Sequence, residues 1–161
     1  MTKAAKAIPE GYHTITPHLT VRGADRAIEF YKRAFGAQEL TRMPGPDGKG
    51  VIHAEIKIGD SIVFLNDELP DMRSRSPQSL GGIASMLHLY VEDVDAAFKL
   101  AVEAGAQVRM PVADMFWGDR YGKVIDPFGH EWGLGTHKED LTPEEIEKRA
   151  QAFFAQMPKK Q

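Results

Sequence analysis

A shift of 70 positions lays His18-Leu19-Thr20-Val21 on His88-Leu89-Tyr90-Val91, Asp25 on Asp95 and Gly59 on Gly129. A chain that carries the same strand, helix-start and turn signals twice at one spacing is constrained to fold as two copies of one unit. Gly36 and Gly105, each placed to close a helix, lie 69 apart, as a second helix shortened by one residue requires. A unit of this length that occurs only twice argues duplication of a half-domain, not a solenoid array.

The content of the unit follows from periodicity. Thr14 to Val21 alternates and is rich in β-branched residues, which predicts a strand. Asp25 then stands as an N-cap, and Ala27, Phe30, Tyr31, Ala34 and Phe35 recur at helical spacing up to Gly36. Gln38 to Arg42 reads as a short strand before a Gly/Pro loop at 44–48, and Gly59-Asp60 joins strands 51–58 and 61–66 as a tight hairpin. The second unit repeats the order: strand 86–91, a helix capped by Asp93 or Asp95 and closed by Gly105, then strands near 107–110, 122–125 and 132–135, with a loop over 111–121. Between the units, residues 69–82 (LPDMRSRSPQSLGG) have no apolar period and read as a linker, with Arg73 and Arg75 keeping it solvated. The predicted class is α+β: two tandem βαβββ modules, 12–68 and 83–138, forming a curled mixed sheet around a cleft, with a C-terminal helix over 142–157. That helix starts at the capping box Thr142-Pro143-Glu144-Glu145 and carries the apolar stripe Ile146, Ala150, Phe153, Phe154 and Met157, expected to pack on its own domain, with a second subunit as the alternative.

Composition narrows the function classes. With 161 residues, 42% of them hydrophobic, the chain is sized as one domain with its own core. A formal charge of −3 offers no basic field for a phosphate backbone, so nucleic acid is not an expected partner. Zero cysteines exclude disulfides, thiolate metal ligands and thiol nucleophiles. The first residues lack an apolar signal core and no run approaches the roughly 18 apolar residues of a membrane span, so the expected setting is cytoplasmic, away from membranes.

Three motifs, Ala27-Ile28-Glu29-Phe30-Tyr31 before Gly36-Ala37, Val91-Glu92-Asp93-Val94-Asp95-Ala96, and Asp126-Pro127-Phe128-Gly129-His130, occur here in an order and spacing that resemble the vicinal-oxygen-chelate superfamily. That superfamily includes glyoxalase I, bleomycin-resistance proteins, fosfomycin-resistance enzymes and extradiol dioxygenases, and the resemblance covers about residues 12 to 138. The segment 116–124 (FWGDRYGKV) and the ending 135–140 (GTHKED) look like its PhnB-like branch. The resemblance implies a cleft between the modules, often completed in a homodimer. Metal-using members take ligands from the first and last strands of each module, an arrangement that leaves positions open for a bidentate substrate. Counting from Val21, Val91, Gly59 and Gly129 places those positions on Thr16, Met86, Val63 and Gly133, none of them a ligand for a hard or borderline divalent metal. No cofactor is therefore expected, and a displaced divalent metal is the minority alternative.

His18 and His88 each lie two residues beyond a vacated position and so on the cavity face, where the pseudo-twofold is expected to bring them together or set them facing each other across the cleft. His53 is a third candidate. Three readings stand for these histidines: pocket-lining or hydrogen-bonded residues, a displaced metal site formed by all three, and a general base or donor to substrate. His130 matches a structural position and the role of His137 is open. The loop containing Phe116, Trp117, Gly118, Asp119, Arg120 and Tyr121 supplies stacking surface, an anion-binding group and a phenol on a segment able to close over a ligand; its plainer reading pairs Asp119 with Arg120 at the surface. The resulting expectation is a small-molecule-binding protein with an aromatic and histidine-lined cleft, formed by His18, His53, His88, Phe116, Trp117, Arg120 and Tyr121. The alternatives are a glyoxalase-like lyase or isomerase with a displaced metal or a histidine base, acting on an electrophilic or dicarbonyl substrate, and a drug-sequestering resistance protein.

Overall fold

The structure is a computed structural model and describes residues 6–158. Two four-stranded mixed sheets form. The first contains β1 (His18–Val21), β2 (Gln38–Pro44), β3 (Val51–Ile58) and β4 (Ser61–Asp67) in the order β1-β4-β3-β2, with helix α1 (Ala24–Phe35) between β1 and β2. Past a 3-10 turn at Pro70–Met72 and a one-turn helix α2 (Pro77–Leu80), the second sheet contains β5 (Met86–Tyr90), β6 (Gln107–Asp114), β7 (Asp119–Ile125) and β8 (Glu131–His137) in the order β5-β8-β7-β6. Helix α3 (Val94–Ala104) follows β5, and α4 (Pro143–Ala155) ends the chain. In each module the first strand pairs in parallel with the last and the other pairings are antiparallel. β1 and β5 are edge strands, and the two sheets do not close into one. Among the described residues no helix is long and apolar enough to cross a membrane.

Several local expectations are corrected. The residues 14–17 ahead of His18 are irregular, because parallel pairing with β4 begins only at His18 opposite Phe64. Helix α1 is capped from a distance, not by Asp25. Gly23 stands at the N-cap with φ 87°, and Asp67 Oδ1 accepts from the backbone N–H of Gly23 and Ala24. Helix α3 is capped by Asp93, whose side chain accepts from Ala96 N. Residues 69–82 are not a solvated tether, since Ser76 and Pro77 are buried. Hydrogen bonds from the Ser76 hydroxyl and backbone and from Arg22 converge on Glu68 and hold its carboxyl down to about 2.

The core lies on the helix-bearing side of both sheets. Along β1 and β4, Leu19, Val21, Val63 and Leu65 turn toward α1, while along β8 Trp132 and Leu134 do the same for module two. α1 and α3 pack on each other, and Phe30, Tyr31, Phe35, Phe128 and Trp132 form a continuous aromatic cluster across the junction. Asp126 sits in this cluster, 4% exposed. Its Oδ2 accepts from Tyr31 Oη at 2.6 Å and Trp132 Nε1 at 2.9 Å, and its Oδ1 accepts from the backbone N–H of Phe128 and His130. Burial and the adjacent carboxylate push the Tyr31 phenol well above its ordinary value, so it stays a donor. The same turn aims His130 Nε2 at Thr20 O, 3.0 Å away on β1. Asp126 therefore organises its own turn and ties it to module one.

Removing the hydroxyl in Tyr31→Phe is expected to cost about 1.5–3 kcal/mol, the range for a hydrogen bond to a charged group. Urea unfolding measures it, and a loss near zero would show that the junction does not depend on this bond.

Candidate functional site

The faces of the sheets turned away from the helices carry two separate polar and aromatic clusters. On module one, β1, β3 and β4 present His18, His53, Glu55, Phe64 and Asn66, with Tyr12 from the chain preceding β1 laid over them. Asn66 donates from Nδ2 to Ser74 Oγ and Asp67 O, which leaves Oδ1 as acceptor; His18 Nε2, 2.7 Å away, is thereby the donor. His53 Nε2 donates to Glu55 Oε1 at 3.1 Å, and Tyr12 donates to Oε2 of the same carboxylate. Burial pushes the Glu55 carboxyl up, but the bonds from Tyr12 and His53 outweigh it and the net displacement is downward. His18 and His53 are thus hydrogen-bonded residues, ring centroids 6.3 Å apart. Beside them lies a groove of about 510 Å³ between the β1 edge and residues 82–85, lined by His18, Thr20, Arg75, Ile83 and His130 among others.

On module two, β5, β7 and β8 present His88, Tyr90, Asp119, Tyr121 and His137, and the turn 115–118 adds Trp117. His88 lies parallel to Tyr121, centroids 5.4 Å apart and planes 7° apart, with Tyr90 at 4.4 Å. Glycine makes this stacking possible. A Cβ at Gly133 would stand 2.5 Å from the Tyr121 hydroxyl, and one at Gly135 would stand 3.2 Å from His88 Nε2. Tyr121 is 6% exposed, and its hydroxyl meets the Met86 thioether at 3.6 Å, a weak acceptor. Burial, then Glu131, raises the Tyr121 phenol above its ordinary value, while partial burial lowers the His88 imidazole against an opposing pull from Asp119.

Asp119 is the second buried carboxylate, 4% exposed. It accepts from Trp117 Nε1 at 3.1 Å, Tyr90 Oη at 3.2 Å and His137 Nδ1 at 2.7 Å, so one side chain fixes both aromatic walls. His137 Nε2 meets Asp140 at 2.8 Å; with both ring nitrogens donating to carboxylates, first Asp140 and then Asp119 raise the His137 pKa. The sequence reading missed Asp119 as an organiser and pairing it with Arg120 is incorrect. Strand alternation sends Arg120 to the opposite face, where it is bonded to Asp95 and Asp114. Phe116 stands behind the cluster, edge-on to Trp117 at 5.0 Å and packed against Phe153 and Phe154 of α4. The expected mobile loop is a short turn. Gly118, at φ 96°, accepts from the backbone N–H of Lys138 and Glu139, and a Cβ there would stand 2.5 Å from Glu139 O.

His18 and His88 are not brought together; among the described residues no hydrogen bond or ring contact joins their clusters. Of the family's metal positions, Val63 faces the core, and the β1–β4 register puts Phe64 opposite His18, as Gly133 stands opposite His88. The set Thr16, Phe64, Met86 and Gly133 offers no imidazole or carboxylate, and the Tyr121 ring covers Gly133. The residues present do not fit the family's metal, and among the described residues no three His, Asp or Glu cluster as ligands elsewhere.

The opposite displacements of two histidines are testable by imidazole NMR. His137 should titrate above 6.5 and His88 below it. Protonated His137 stabilises the fold fully below its unfolded value, and this contribution disappears as pH rises through its raised folded value. For His88 the loss comes as pH falls from 6.5 toward its lowered folded value. Asp119→Asn should bring His137 back toward 6.5; an unmoved titration would contradict the assigned pairing.

Residues 12–134 match the family model described as the Glyoxalase/Bleomycin resistance protein/Dioxygenase superfamily. An uncharacterized protein of Mycobacterium tuberculosis is 50% identical over 136 residues, covering 83% of this chain and 79% of the relative. TioX from Micromonospora is similar in structure, with a TM-score of 0.60 and 28% identity over 81% of this chain and 100% of that one. A PhnB protein from Bacillus cereus, at 20% identity and a TM-score of 0.60 over 77% and 99%, shares the fold. The chain belongs to the glyoxalase, bleomycin resistance protein and dioxygenase superfamily.

Proposed function

We propose that this member of the superfamily binds a small organic molecule on the module-two face without a metal. The observation that carries this reading is the Tyr121 phenol, almost fully buried, laid over Gly133 and, among the described residues, paired only with a thioether. A buried phenol gains by donating to a strong acceptor, and an entering carbonyl, ether or carboxylate oxygen supplies one better than sulfur does. His88, Tyr90 and Trp117 then form the apolar and stacking walls of a seat whose few polar groups fix orientation. The ligand so described is flat, largely apolar and carries at least one acceptor oxygen. Tyr90 and Met86, 64% and 39% exposed, leave the seat open on one side, in keeping with a cytoplasmic homodimer whose second copy covers it.

A second reading adds chemistry at the same place. Its lowered pKa keeps the His88 imidazole neutral at ordinary working pH, so a ring nitrogen is free to accept a proton from a bound dicarbonyl or similarly acidic substrate. His18 is less suited, because its Nε2 is committed to Asn66.

A thermal-shift screen against small aromatic and dicarbonyl compounds should return ligands that raise the melting temperature. Tyr121→Phe is expected to weaken them about five- to tenfold, the loss of one buried hydrogen bond. Hits that bind Tyr121→Phe and Trp117→Ala unchanged would contradict the seat. Turnover of a dicarbonyl abolished in His88→Ala would select the second reading.

A further inference from the structure

Where α1 meets α2 and the turn before β8, a groove of about 400 Å³ is lined by Arg22, Arg26, Arg33, Gln78, Phe30 and Phe128, among others. It shares no lining residue with either cluster described above. Arg26, Phe30 and Arg33 follow one another at helical spacing on one face of α1, and Arg22 stands one turn before Arg26. The acids of α1 are engaged elsewhere: Asp25 pairs with Arg42 and Glu29 with Lys32. Arg22 is fixed by Glu68 at 3.0 Å and Ser79 at 2.6 Å. Among the described residues neither Arg26 nor Arg33 meets a carboxylate within 4.0 Å. The Arg26 guanidinium instead folds back over Gly23, where a Cβ would stand 2.7 Å from its Nε and Nη2.

We propose that this groove is a second binding site, for a small organic phosphate monoester. Three guanidinium groups, only one of them neutralised, match the charge and the multiple acceptor oxygens of a phosphate dianion, which Arg binds through paired N–H donors. The Gln78 amide adds a donor at the rim. Exposed Pro127 and half-buried Ala104, which also line the groove, give the apolar part of the ester a surface to rest on. The placement is selective by chemistry: a chain of net charge −3 repels anions generally, and here concentrates cations on one helix face.

The test uses the full chain with phenyl phosphate, inorganic phosphate and benzoate as probes, followed by isothermal titration at low salt and by amide NMR. Phenyl phosphate should bind more tightly than either of the others and shift the Gln78 and Phe128 amides. Arg26→Ala/Arg33→Ala, which alters only groove side chains, should weaken it at least about tenfold while the melting temperature stays near that of the parent. Tyr121→Phe should leave this binding unchanged. The proposal is overturned if phenyl phosphate does not bind, if the double substitution leaves its affinity intact, if binding falls in Tyr121→Phe instead, or if benzoate or inorganic phosphate binds as tightly.

Discussion

Two buried carboxylates organise this molecule, and Asp126 is the one on which the rest depends. It gathers two backbone N–H groups of its own turn, the indole of Trp132 and the phenol of Tyr31 from the other module. Its four acceptor positions are filled by donors, which is how a buried carboxylate is tolerated at all. The consequence is geometric. With Asp126 bonded to α1, the two helices are clasped between the modules and the helix-free faces of both sheets are left for chemistry. Asp119 then repeats the device on a smaller scale, using one carboxylate to set Trp117, Tyr90 and His137 around the seat.

The duplicated modules have diverged on those free faces. Module one has turned its face into a hydrogen-bonded network in which His18 and His53 each commit Nε2 to a side-chain acceptor. Module two instead stacks rings over glycines. Gly133 and Gly135 supply no side chains, and the Tyr121 and His88 rings occupy the volume that larger residues would fill. The equivalent strand positions, Phe64 and Gly133, illustrate the difference: one contributes an aromatic ring, and the other gives up its own volume so that a neighbouring strand's ring can lie there.

Much of this was legible in the sequence. The 70-residue shift gave the two modules, because strand, cap and turn signals are local and repeat together. Strand parity places His18 and His88 on one face of their sheets, whereas Trp117 and Tyr121 read as part of a mobile loop and not of a turn and the strand that follows it. What escaped were effects of register and long-range partnership. The stretch between first and last strand is one residue shorter in module two, so the position equivalent to Gly133 is Phe64 and not Val63, which no uniform shift reveals. The burial of Asp119 depends on a histidine 18 residues away and a tyrosine 29 residues away. Arg120 looked like a cleft residue only because neighbours in sequence were treated as neighbours on one face, whereas successive strand residues point to opposite sides.

The central claim is that the family's metal site has been replaced by an aromatic seat. Metal analysis of untagged protein, purified and then incubated with zinc, nickel, manganese and iron before desalting, addresses it most directly. The account predicts metal content far below one ion per chain, unchanged in His18→Ala and His88→Ala. One ion retained per chain and lost in either substitution would contradict it.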